Sequence, residues 1–190
     1  MKEERVLDDL RAIREVMERT RRASGGQGGW FMILWGVIWF LGFAGTHFLL
    51  HADLPYAVNW LWAGLNGIGI ILSTWLGVRF QRHAVRSTLW RAILLWWLAL
   101  AVFDGLLIWL FGLTRGEEIV LLIILTVALG YVLFGLFSHW AISLIGLFFA
   151  ALSVVMSLFL PAYFNLAFAF LGGGILIAGG AWFVRQEGGR

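Results

Sequence analysis

Sixty-six consecutive residues, 119–184, contain no Asp, Glu, Lys or Arg. A soluble domain cannot present so long a stretch to water, because charged side chains supply much of its surface. A membrane-crossing helix needs about 20 apolar residues to cover about 30 Å of hydrocarbon. The charge-free stretch is long enough for three such helices. Composition points the same way over the whole 190-residue chain, which is 61% hydrophobic and only 13% charged. An ordinary soluble domain carries roughly 25% charged residues. These figures exclude a soluble globular enzyme, a disordered protein and a nucleic-acid-binding domain. The chain has no cysteine, so disulfides, thiolate metal sites, iron–sulfur clusters and cysteine nucleophiles are excluded as well.

The remaining charge is unevenly placed. Residues 1–22 hold 13 charged side chains, and the other 168 residues hold 12. Val6, Leu10, Ile13 and Met17 recur at spacings of four, three and four, which puts them on one helical face. Glu15–Arg19 and Glu18–Arg22 are i,i+4 pairs in the favourable order. Residues 1–24 are therefore expected to form an amphipathic helix, with a Gly-rich hinge at 25–29. The charge of that helix is mixed and some 29 residues precede the first apolar run, unlike a cleavable signal peptide.

The rest, 30–185, reads as a six-span membrane domain followed by a short tail, 186–190. The spans fall at about 30–50, 55–78, 89–111, 118–137, 140–160 and 162–184. Lys and Arg concentrate in cytoplasmic segments of membrane proteins. With both termini cytoplasmic, 13 of the 14 basic residues lie inside, and Arg115 alone lies outside. That placement gives the pI near 10 its meaning, since the net charge is only +3. It reports orientation in a plasma (inner) membrane, and no nucleic-acid partner is expected.

Residues 54–79 align with 160–185 without a gap, sharing Pro55/Pro161, Asn59/Asn165, Ala63/Ala169, Gly67/Gly173 and Arg79/Arg185 among nine identities. Gly36 and Gly146 also fall six residues after Trp30 and Trp140. The expected fold class is an all-α integral membrane protein whose six helices form three pseudo-repeated hairpins behind a cytoplasmic amphipathic helix. The segment Ile13-Arg14-Glu15-Val16-Met17-Glu18-Arg19, small residues, and then Leu34-Trp35-Gly36 resembles the opening of uncharacterised bacterial multi-span membrane proteins. The resemblance covers residues 10–45 and implies membrane residence without an activity to carry over.

Few residues carry chemistry. Asp104 is the acid deepest inside a span, about 10 Å from the outer end of its helix. An acid at that depth marks a proton, cation or substrate site, or is clamped to a neighbouring helix. His47 and His51 share a helical face and are weak metal-ligand candidates, with Asp104 as a conceivable third ligand. Asn59 and Asn165 sit at matched outer positions, and Asn66 lies at mid-membrane. Together with His47 and Asp104 they form the candidate polar site. Arg79, Arg82, Arg86 and Arg91 make a basic inner loop that sets topology and suits anionic lipid headgroups. Trp35, Trp39, Trp96 and Trp97 suit bundle packing or an aromatic-lined pocket. Gly172-Gly173-Gly174 suits close helix packing, since no lysine follows as a phosphate loop requires.

Three functional classes follow. The first is a non-enzymatic accessory or signalling protein whose first helix docks a partner or its own copy. The second is a small-solute or ion pathway around Asp104. The third is an intramembrane metalloenzyme. No cofactor is expected, and the lipid bilayer is the one certain environment. The orientation is open to a direct test, because the chain has no cysteine of its own. Asp53→Cys and Thr114→Cys are expected to react with an impermeant maleimide on intact cells. Ser87→Cys is expected to react only after lysis. The reverse pattern contradicts the expected orientation.

Overall fold

The structure is a computed structural model and describes residues 28–81, 88–137 and 139–188. Residues 1–24 with the face Val6, Leu10, Ile13 and Met17, and the loop arginines Arg82 and Arg86, lie outside the described residues. Within those bounds the fold is all-α, with six apolar helices long enough to cross a membrane. They are α1 (Gly28–His51), α2 (Pro55–Gln81), α3 (Thr88–Phe111), α4 (Gly116–Phe137), α5 (Trp140–Phe159) and α6, whose span is Pro161–Gln186. The first five helices lie within three residues of their expected positions, and α6 continues as helix to Gly188, four residues past its expected end and into the expected tail. Gly28 and Gly29, placed in the hinge by sequence, are the first turn of α1. Tertiary contact explains this, because Gly29 packs against Gly180 of α6.

The helices stop where the chain can satisfy its last carbonyls. After α1, Asp53 takes a left-handed conformation with φ 54°, and the Leu54 N–H donates back to the Leu49 carbonyl at 2.9 Å. After α3, Gly112 does the same with φ 60°, and Leu113 N–H reaches the Ile108 carbonyl at 3.0 Å. Both ends follow the 6→1 closure of a Schellman cap. At the opposite side His139 caps α5, its Nδ1 accepting from the Ala141 N–H at 3.2 Å.

Packing centres on α1. Lipid tails are as apolar as leucine, so membrane helices associate through close contact and not through exclusion of water. Here α1 and α6 run antiparallel with their backbones in contact. A Cβ on Gly36 would lie 2.9 Å from the Gly173 carbonyl oxygen, and one on Gly173 would lie 2.8 Å from that of Gly36. Two turns away the same reciprocal contact joins Gly29 and Gly180, at 2.7 and 2.5 Å. A second seam closes the α4–α5 hairpin, where Gly146 packs on the backbone of Ala128 and Val132, and Gly135 meets Ser143. Ser143 Oγ fixes that hairpin by donating to the Val132 carbonyl at 2.9 Å.

An aromatic core fills the centre. Trp39 of α1 stands 5.0 Å from Phe149 of α5 and 6.2 Å from Phe168 of α6, ring to ring. Phe43 meets Trp62 of α2 at 5.1 Å and Phe168 at 5.3 Å. Tyr131 of α4 touches Phe149 and Trp97 of α3. Phe149 and Phe168 are fully buried. The tryptophans in this network serve packing, as sequence suggested for the bundle. The outward faces are apolar, with Trp60, Trp109 and Phe111 exposed, which suits a bilayer.

The α6 backbone departs from a plain helix. It begins as a 3-10 turn (Pro161–Tyr163), passes through Phe164–Ala167, widens to a π-helix (Phe168–Gly173) and returns to α-helix (Gly174–Gly188). The π segment carries one of the two α1 contacts, at Gly173, and has Phe168, Ala169, Gly172 and Gly173 buried, while the Gly180 contact lies in the α-helical part beyond it. The aligned positions of α2 behave differently. Ala63 is exposed, and a Cβ on Gly67 meets nothing within 4 Å. Gly36 packs on α6, whereas its counterpart Gly146 packs on α4. The aligned positions therefore occupy unlike environments.

The seam makes a stability prediction. Gly36→Ala and Gly173→Ala are each expected to lower unfolding stability in detergent by about 1–3 kcal/mol through overpacking. Gly174→Ala, where a Cβ meets nothing within 4 Å, is expected to leave stability unchanged or slightly raised. Equal losses at all three positions would show that the seam does not set the helix distance.

Candidate functional site

Asp104 sits on the face of α3 that meets α4. Its neighbours Val102, Phe103 and Leu106 are exposed, while Asp104 itself is only 8% exposed. Thr126 of α4 lies opposite and is equally buried. Its Oγ1 donates to Asp104 Oδ1 at 2.7 Å. Sequence reading picked out the acid and missed this partner. A threonine in a charge-free helix gives no signal until the register of α3 on α4 is known. The bond is one of several that join neighbouring helices. Trp35 Nε1 on α1 donates to Ser73 Oγ on α2 at 3.2 Å. Trp62 Nε1 donates to Thr46 Oγ1 at 3.0 Å, and Thr46 in turn donates to the Gly42 carbonyl at 2.8 Å. Such bonds contribute of order 1 kcal/mol each, because the alternative is a polar group in hydrocarbon.

The other candidate residues do not join Asp104 in one hydrogen-bonded cluster. His47 and His51 lie together on the last turn of α1, their rings 4.2 Å apart, with His51 Nδ1 donating to the His47 carbonyl at 2.8 Å. Among the described residues no three His, Asp or Glu side chains are arranged to hold a metal ion. Asp104 therefore does not supply a third ligand to the histidine pair, because it is held on the α3–α4 face. Asn66, expected to line a polar path, lies on an exposed face of α2 and donates to its own helix at the Trp62 carbonyl, at 2.8 Å. Asn59 is exposed one heptad earlier on the same helix, and Asn165 is half-buried near the start of α6.

A groove of about 320 Å³ lies between the first half of α1 and the last half of α2. Trp30, Leu34, Val37, Leu72 and Trp75 are among its walls, which are almost wholly apolar. Its volume is at the low end of small-molecule sites, about 300–1,000 Å³, and it lacks the convergent polar groups that orient a substrate. The Arg79 guanidinium lies over the Trp75 ring, 5.1 Å from its centre. This places one cation beside the groove, and Arg79, expected in a loop, is part of the last turn of α2.

Helix count, the outward apolar surface and the interior clamps define the class: a multi-span α-helical membrane protein. The chain matches no family model, no curated protein and no solved structure.

If the Asp104–Thr126 bond holds α3 to α4, Thr126→Val is expected to lower unfolding stability by about 1 kcal/mol. Asp104→Asn is expected to stay close to wild type, since its amide oxygen still accepts from Thr126. Wild-type stability in Thr126→Val would show that the bond carries no packing load.

Proposed function

We propose that the chain is a non-enzymatic integral membrane accessory or signalling protein of a plasma (inner) membrane. Both termini are cytoplasmic, and its N-terminal helix docks a protein partner or its own copy. The observation that carries the reading is how the interior polar groups are used. Among the described residues the buried polar ones, Thr46, Asp104, Thr126 and Ser153, all bond a neighbouring helix or their own backbone. Among the described residues no buried side-chain nitrogen or oxygen lacks a partner. An interior of this kind suits a packed anchor. The sequence then places an apolar helical stripe, Val6, Leu10, Ile13 and Met17, on the segment that precedes the anchor. The mixed charge of that segment favours a protein partner over a bare lipid surface. Anionic lipid headgroups at Arg79 and the rest of the basic loop are a secondary partner.

A solute or ion pathway is the competing reading. Its support is Asp104, an acid buried inside a span, where ionisable groups commonly mark pathways. One pair of experiments separates the two. Deletion of residues 1–24 is expected to leave a folded six-helix protein that no longer recovers its cytoplasmic partner. Liposomes carrying the full chain are expected to show no proton or cation flux above empty liposomes. Undiminished recovery by the truncated chain overturns the docking reading. Flux that Asp104→Asn abolishes establishes the pathway.

A further inference from the structure

The α2 helix carries two amides that the bundle does not use. Asn66 is residue 12 of the 25-residue span Pro55–Arg79 and so lies at its midpoint. Its side chain is exposed on the outer face of the bundle, where a bilayer would surround it with hydrocarbon. It donates one bond to the Trp62 carbonyl, which leaves a second N–H and the amide oxygen unmatched. Asn59, one heptad earlier, is also exposed. A polar group facing lipid has a strong drive to find a partner, and lipid tails offer neither donor nor acceptor.

Residue spacing shows what kind of partner fits. Asn59, Ala63, Asn66 and Ile70 follow one another at four, three and four residues. That is the a/d seam of a left-handed helix pair, with a polar residue at each d-type position. All four are exposed, so the seam is open over its outer half. Beyond it the stripe turns into the bundle, where Ser73 bonds Trp35 of α1 and Gly77 is buried. Ala63 has no long side chain to hold a facing helix away.

We infer that the Asn59–Ala63–Asn66–Ile70 face of α2 packs against the same face of a second copy of this chain. A second copy fits because an amide is its own complement. Two copies inserted in the same orientation carry Asn66 at the same depth. A twofold axis along the membrane normal then lets each Asn66 donate to the oxygen of the other. This interface lies within the membrane and does not depend on the N-terminal helix.

The absence of native cysteine makes the test clean. Single Ala63→Cys and Ile68→Cys variants would be oxidised in native membranes and run as non-reducing gels. Ile68 is 53% exposed and points away from the seam, so neither substitution disturbs the core. Ala63→Cys is expected to form a disulfide-linked species of twice the chain mass, and Ile68→Cys to remain monomeric. Adding Asn66→Leu to Ala63→Cys is expected to reduce the linked fraction about threefold or more. Removing residues 1–24 is expected to leave it unchanged, which separates this interface from N-terminal docking. Equal linkage at both positions, a monomer only, a linked species of another mass, or insensitivity to Asn66→Leu would each overturn the inference.

Discussion

Backbone contact between α1 and α6 is the interaction on which the rest of the bundle depends. Water drives soluble helices together, and that drive is missing between helices already in lipid. Contact distance must supply the attraction instead. Gly29 and Gly36 on α1, against Gly180 and Gly173 on α6, remove the side chains that would hold the backbones apart. Once α6 lies so close, Phe168 reaches Trp39 and Phe43, and α5 closes over them with Phe149. The π segment of α6 coincides with this contact. A wider turn there changes which residues face α1, and buries Ala169, Gly172 and Gly173 together with Phe168.

The periphery is held by other means. The α2 helix is fixed to α1 by two indole hydrogen bonds, and α3 to α4 by the Thr126 hydroxyl on Asp104. These helices expose most of their surface, including Asn59 and Asn66 of α2. The centre is tightly packed, and the outer helices sheath it loosely.

Much of this architecture was legible from sequence, and the reasons are physical. Span positions follow from the length of apolar runs, and the bundle is built from just those runs. Gly172-Gly173-Gly174 stood out as a close-packing stretch, whereas Gly36 was marked only by its repeat position, six residues after Trp30. The seven-residue spacing of Gly29 and Gly36, matched by Gly173 and Gly180, was also present in the sequence. Its meaning needed the pairing of α1 with α6. The π segment was illegible, because Gly172-Gly173-Gly174 permits an α-helix equally well, and its glycines lie against Trp39 and Phe40 of a helix far away in sequence. The candidate site was partly legible. Asp104 and Asn66 announce themselves as polar groups in apolar runs. Which of them faces a neighbour and which faces outward is a matter of helix rotation, and a helix apolar on all sides does not encode that rotation.

The most direct measurement is a double-mutant cycle on Gly36→Ala and Gly173→Ala, read as unfolding free energy. Both methyl groups would enter the same crossing. A shift of α1 from α6 that admits the first already makes room for the second. The account predicts that the double variant loses less stability than the two single losses combined, by at least about 0.5 kcal/mol. Strict additivity would contradict it, because independent sites do not share a contact.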